Sequence, residues 1–305
     1  MRYQAALRPD EAAILPAGMH RPAAPHTNKP VQGQRAHPPL RRTALGYSSG
    51  TMRNRPARPT LPWLEPGDRF PDVGQAWGAG SDAPGLLAAG GSLDVPTLLQ
   101  AYRQGIFPWF SEGQPILWWS PDPRMVLFPD QIRITRSLAK TLRNAAYEVR
   151  LDSAFDEVML ACANAPREGQ NGTWISDEMR EAYGTLHRMG FAHSVETWID
   201  GQLAGGLYGM AIGKAFYGES MFARVRDASK IALAHLGAHL KTRSFGIIDC
   251  QMETAHLASM GALPISRRDF TARLDVLCVQ GEAPACWPMD AIDSYFRNKA
   301  IKGSA

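Results

Sequence analysis

Apolar residues change their period several times along the chain, and each change marks an element. Leu98, Leu99 and Tyr102 share one helical face. That spacing predicts a helix from a cap at Asp94 through Arg103, with Pro96 in its first turn and Gly105 as the stop. Residues 116–119 and 125–128 read as short strands joined by Ser-Pro-Asp-Pro, and 137–144 as a basic helix. A strand over 148–151 leads into a helix over 153–164. Ser176 can cap a helix to Met189, with Asp177 and Glu178 suiting its positive end. Strands follow over 192–199, 202–212 and 215–221, the first two joined by the hairpin pair Asp200-Gly201. Ala228, Ile231, Ala232, Leu236 and Leu240 line a helix over 227–241. Gly246 then introduces a short buried strand, 247–251, and a last helix covers 267–277.

This order divides the chain. Residues 1–60 hold nine of the 23 prolines and no long apolar pattern, which predicts a disordered extension. A small N-terminal α/β domain is expected over 61–146, a second domain over 147–277, and a C-terminal helix and tail over 278–305. Within the second domain an antiparallel meander, a crossover helix and a strand give α+β layering with a mixed, largely antiparallel sheet. That layout is similar to the GNAT acyltransferases.

Charge sharpens the division. Residues 1–60 carry ten basic and two acidic side chains, against 23 and 27 over the remaining 245. The folded part is slightly acidic, so any nucleic acid must be met by a local patch. The extension reads as a basic arm, as an Arg-rich transit peptide, or as sequence upstream of a true start at Met52. The chain has no run of 18 apolar residues, hence no expected membrane span. Its four cysteines form no Cys-x-x-Cys pair, which fits a reducing compartment, and no metal site is expected. Cys278 and Cys286 are close enough in sequence to pair, although nothing requires it.

Two kinds of site residue stand out. Residues 102–124 set Tyr102, Trp109, Trp118 and Trp119 among turn-forming Gly and Pro. Such rings either stack on a base or pack a small core. Trp118 and Trp119 alternate on a strand, so at least one belongs to a core. Later, Glu219 ends one strand and Asp249-Cys250-Gln251 another, and ligands of open sheets gather at strand ends. Two residues apart on a strand, Asp249 and Gln251 share a face. A carboxylate can hold or deprotonate an amine, and an amide can donate to an oxyanion. Asp249 could instead cap a following helix near 253–259. Glu219 could bind a basic group, or pair with Lys230 or Arg224. Cys250 as a nucleophile would need His256. Gly205-Gly206 marks a close approach or a bulge. The stretch Arg226-Asp227-Ala228-Ser229-Lys230 lacks the glycine loop that would cradle a pyrophosphate, which argues against CoA.

The segments Ala-Tyr-Arg-Gln-Gly-Ile-Phe-Pro-Trp-Phe (101–110), Ile-Leu-Trp-Trp-Ser-Pro-Asp-Pro-Arg (116–124), Gly-Glu-Ser-Met-Phe (218–222) and Ile-Asp-Cys-Gln (248–251) resemble the leucyl/phenylalanyl-tRNA–protein transferase family. The resemblance runs from about Leu61 to Leu277. It implies a cytoplasmic, monomeric aminoacyltransferase of the N-degron pathway, with aminoacyl-tRNA as the activated donor and no other cofactor. Leu, also Phe and less Met, would pass to proteins beginning with Arg or Lys. By the same resemblance Asp249 and Gln251 form the catalytic pair, and Glu219 and Asp249 receive the acceptor. Tyr102, Trp109, Trp174 and Tyr183 frame the terminal adenosine. Leu207, Phe216, Met221, Leu236 and Leu240 form the aminoacyl pocket. Arg133, Arg136, Lys140, Arg143 and Arg150 are the expected phosphate patch. The competing functions are a peptidoglycan-bridge aminoacyltransferase and a non-catalytic binder of tRNA acceptor ends.

Overall fold

The computed structural model describes residues 60–165 and 175–279, together with Trp287 and Phe296. Its strands form two sheets. The smaller has the order β1-β2-β4-β3, from β1 (Trp63–Leu64), β2 (Leu86–Gly90), β3 (Phe107–Pro108) and β4 (Leu117–Trp119). Helix α1 (Val95–Arg103) precedes β3, and the Asp94 carboxylate caps it by accepting from the Thr97 amide at 2.9 Å. Trp118 and Trp119 are both core. The Trp118 indole donates to Gly90 O at 2.8 Å, and its ring meets Phe70 edge-on.

The larger sheet is mixed, in the order β11-β5-β10-β9-β8-β7-β6. Its strands are β5 (Arg124–Leu127), β6 (Glu148–Leu151), β7 (Ala192–Ile199), β8 (Gln202–Ile212), β9 (Ala215–Ala223), β10 (Ile247–Asp249) and β11 (Leu263–Ile265). The expected meander is β7-β8-β9. Helix α5 (Ala228–Thr242) crosses over, and β10 returns parallel to β9. This is the α+β layout expected from the sequence. The strands flanking Ser-Pro-Asp-Pro do not pair with each other, because β4 lies in the small sheet and β5 between β11 and β10 in the large one.

Helices cover both faces of the meander. Gly205 and Gly206 are neighbours on β8, so they face opposite ways. A Cβ at Gly205 would stand 2.6 Å from Ala228 Cβ, in the first turn of α5. One at Gly206 would meet Val158 of α3 (Phe155–Ala163). The pair therefore marks close approach by helices rather than by a ligand. Helix α4 (Asp177–Arg188) packs beside α3 and is capped by Ser176, while α2 (Arg136–Asn144) lies against α5. Helices α6 (Ala255–Ser259) and α7 (Arg267–Leu277) complete the described α-helices. Trp287 stacks on His193 with centroids 4.0 Å apart and also touches Phe216 and His239. The remainder of the expected C-terminal helix and tail, including Cys286, and residues 1–59 of the extension lie outside the described residues; Cys278 is a free thiol.

Candidate active site

The site forms where two parallel strands part. Strand β10 pairs with β9 only at Ile247↔Ala215, Ile248↔Phe216 and Asp249↔Tyr217. Beyond Tyr217, β9 continues to Ala223 alongside β8 alone, and Gly218 through Met221 become partly exposed. Pairing between β10 and β9 thus stops beside Glu219 and Asp249, and this gap in the ladder is the candidate site. Here β9 carries a bulge: Gly209 pairs with Gly218 and Tyr208 with Ser220, leaving Glu219 as the extra residue. Gly209 permits it. A Cβ there would sit 2.2 Å from Tyr217 O and 2.7 Å from the Phe216 ring.

The bulge delivers Glu219 to two buried phenols. Tyr102 of α1 donates to Glu219 Oε1 at 2.6 Å, and Tyr183 of α4 donates to Oε2 at 3.2 Å. The two phenol oxygens also contact each other. Burial raises the Glu219 carboxyl to about 7, an effect the phenol hydrogen bonds oppose and the charge of Asp249 reinforces. Burial likewise lifts both tyrosines well above their ordinary value. Lys230 instead pairs with Asp227 at 3.2 Å, and Arg224 donates to Leu203 O, so neither ion pair considered for Glu219 forms. Tyr102 and Tyr183 are wholly buried rather than walls of an open cleft, and only their hydroxyls approach the site.

Asp249 is placed differently from the expectation. It is 0% exposed, and its oxygens accept from Arg124 Nε at 2.8 Å and Nη2 at 2.6 Å. Oδ1 also accepts from the Gln251 amide at 2.9 Å. With these donors in place Asp249 does not reach the gap directly. Its effect passes to Gln251, which it holds at φ +53. Strand β10 ends at Asp249, so the shared-face argument fails: the chain turns, and the Gln251 side-chain amide is partly exposed with no hydrogen bond among the described residues. Asp249 does not cap α6 either; Thr254 does.

Arg124 was overlooked in the sequence. It is as buried as Asp249, its Nη1 donates to Gly105 O at 3.1 Å, and its guanidinium lies 4.8 Å from both the Phe107 and Phe270 ring centres. The signal was an arginine opening the apolar strand Met125-Val126-Leu127, a charge that required a buried carboxylate. Cys250 is no nucleophile here, because burial pushes its thiol far up.

The remaining expected residues divide. Trp109 is half-buried after β3; its ring lies tilted against Trp119 at 5.5 Å, and its carbonyl accepts from the Trp119 indole. Trp174 lies outside the described residues. Leu207, Phe216, Leu236 and Leu240 are at most 4% exposed and share one core cluster with Leu233 and Ile248, while Met221 is partly buried against it. The expected apolar pocket is filled by its own close-packed side chains. Arg136, Lys140 and Arg143 form an exposed stripe on α2, with Arg133 exposed just before it. Arg150 is set apart: Glu148 accepts from it twice, at 2.8 and 2.7 Å, and its guanidinium covers Trp198. His235 and His239 stand four apart on α5, a spacing that can serve a metal. They diverge to Tyr147 and to Arg243. No group of three metal-ligating side chains occurs among the described residues, and no described helix is long and apolar enough to cross a membrane.

A mixed sheet with a carboxylate–tyrosine cluster where two central strands stop pairing defines an α+β protein with acid–base groups at its strand ends. Comparison with known proteins gives the family. Its N-terminal domain matches residues 91–122 and its transferase domain residues 126–275. A leucyl/phenylalanyl-tRNA–protein transferase of Azoarcus sp. strain BH72 is 60% identical over 227 residues, 74% of this chain and 95% of its own length. The Chromobacterium violaceum protein of the same name is 62% identical over 214 residues, covering 70% and 90%. That of Aromatoleum aromaticum is 56% identical over 238 residues, covering 78% and 99%. The chain belongs to the leucyl/phenylalanyl-tRNA–protein transferase family and is an aminoacyltransferase.

Proposed function

We propose that the chain transfers Leu, also Phe and less Met, from aminoacyl-tRNA to the α-amine of proteins beginning with Arg or Lys, which marks them for degradation by the N-degron route. It works as a cytoplasmic monomer. The ester of the donor is already activated, so neither CoA nor a metal takes part. The observation that carries this reading is Glu219: an acidic group raised by a bulge where β9 and β10 stop pairing, a place where a basic N-terminus can meet an ester.

The terminal adenosine lies towards Trp109 and the hydroxyls of Tyr102 and Tyr183. The aminoacyl side chain enters beside Met221 and parts Leu207, Phe216, Leu236 and Leu240. Gln251, held by Asp249, donates its side-chain amide to the developing oxyanion. Arg133, Arg136, Lys140 and Arg143 take tRNA phosphates. Catalysis is largely positioning.

The test offers Leu, Phe and Met on charged tRNA to peptides starting with Arg, Lys or Ala. Transfer to the Arg and Lys peptides alone is expected. Failure with both, or preference for a cell-wall precursor, would overturn the reading. Binding of charged tRNA without turnover would leave the acceptor-end binder in its place.

A further inference from the structure

We propose that Glu219 takes the proton from the attacking α-amine and hands it to the departing ribose oxygen, with Tyr102 and Tyr183 as its positioning residues. This rests on the reading that amine and ester meet at the strand gap. Proton counting carries the argument. Tyr102 and Tyr183, Tyr102 and Glu219, and Tyr183 and Glu219 are in mutual contact, three oxygen–oxygen contacts in all. Each phenol owns one hydroxyl proton, and a carboxylate owns none. Ionised Glu219 therefore leaves two protons for three contacts, one from each phenol. Protonated Glu219 supplies the third: Glu219 donates to Tyr183, Tyr183 to Tyr102, and Tyr102 back to Glu219. The same side chains serve both states with a turn of one hydroxyl, so the proton arrives and leaves without rebuilding the site.

The chemistry balances. The neutral amine nitrogen attacks the ester carbonyl. As the N–C bond forms, one N–H proton passes to Glu219. As the ester C–O bond breaks, that proton passes to the ribose oxygen, which leaves as a hydroxyl. Amide and free tRNA end are the products, and Glu219 returns to carboxylate. A carboxyl that titrates at about 7 is matched to both transfers. The titratable and charged groups around it are Tyr102 on α1, Tyr183 on α4 with Tyr208 of β8 behind it, Asp249 on β10 and Arg124 on β5. The two phenols are themselves held protonated by burial, so they turn without ionising.

Single-turnover transfer to an Arg-starting peptide, followed from about pH 5 to 9, tests the proposal. The wild-type rate should fall on the acid side with an apparent pKa near 7, where Glu219 is already protonated. Glu219→Gln should lower the rate by about 10²–10⁴ and cut the acid-side slope of log rate against pH from about two to about one, leaving only the ionisation of the peptide α-amine at about 7.7–8.0. Tyr102→Phe and Tyr183→Phe each remove a donor to the charged form, and should move the limb to higher pH. A slope of about two that persists in Glu219→Gln overturns the proposal. So does a limb unmoved in both tyrosine variants, which also decides the matter if the Gln variant does not fold. A raised KM for the Arg peptide with an unchanged rate would leave Glu219 as acceptor binder only. Loss of all transfer by the wild type would instead sink the functional reading beneath it.

Discussion

Replacing Asp249 by alanine separates a structural from a chemical role. The carboxylate is 0% exposed and faces a guanidinium exposed to only 1%. Alanine leaves Arg124 charged and buried with one remaining hydrogen bond, to Gly105 O. It also deprives the Gln251 amide of its acceptor. Breaking a buried pair from one side costs about 3–5 kcal/mol, against a total of roughly 5–15 kcal/mol for a folded domain. With a urea m-value of about 1–3 kcal/mol per molar, the midpoint should fall by about 1–5 M. Tryptophan fluorescence during urea unfolding reads this directly. Arg124→Leu combined with Asp249→Leu removes both charges, and should recover most of the lost stability. An Asp249→Ala midpoint within experimental error of the parent, with transfer abolished, would refute the reasoning and return Asp249 to direct chemistry.

Glu219→Gln has a second expected effect, on stability. The folded state binds a proton that the unfolded chain has released between pH 4.5 and about 7, so the charged group weakens the fold as pH rises through that window. The variant should be about 1–3 kcal/mol more stable than the parent at pH 8 and no more stable at pH 4; equal thermal midpoints at pH 8 would contradict the burial effect. Gly209→Ala should destabilise by about 1–3 kcal/mol and slow transfer, because its Cβ would stand 2.2 Å from Tyr217 O at the bulge; unchanged transfer would separate the bulge from the presentation of Glu219. Neutralising Arg136, Lys140 and Arg143 together should weaken tRNA binding and lower its salt slope by about 2–3, whereas the same change at Arg150 should do little. A salt slope unaffected by the triple change would move the phosphate contact elsewhere.

Local patterning carried most of the larger sheet. The meander, the crossover helix and the Ser176 cap all follow from short-range spacing, which tertiary packing did not override. The small sheet was less legible, because β1 and β3 are two residues each, too short to show a period. The motif residues Tyr102, Tyr183, Glu219 and Asp249 were visible, but not their relations. A bulge shifts register by one, so alternation along β9 could not say where Glu219 points. The end of β10 at Asp249 likewise depended on the left-handed turn at Gln251, which no propensity of glutamine announces. Arg124 needed a partner 125 residues away, beyond any window of periodicity.

That separation has a consequence for synthesis. Arg124 and Asp249 lie 125 residues apart, and Tyr102 and Glu219 117. Contacts so distant form late, after much of the chain is available to close the loop. A partly translated chain therefore holds the phenols and the arginine but neither acid. Until Asp249 has been added, the growing polypeptide carries Arg124 without the carboxylate that neutralises it in the folded chain.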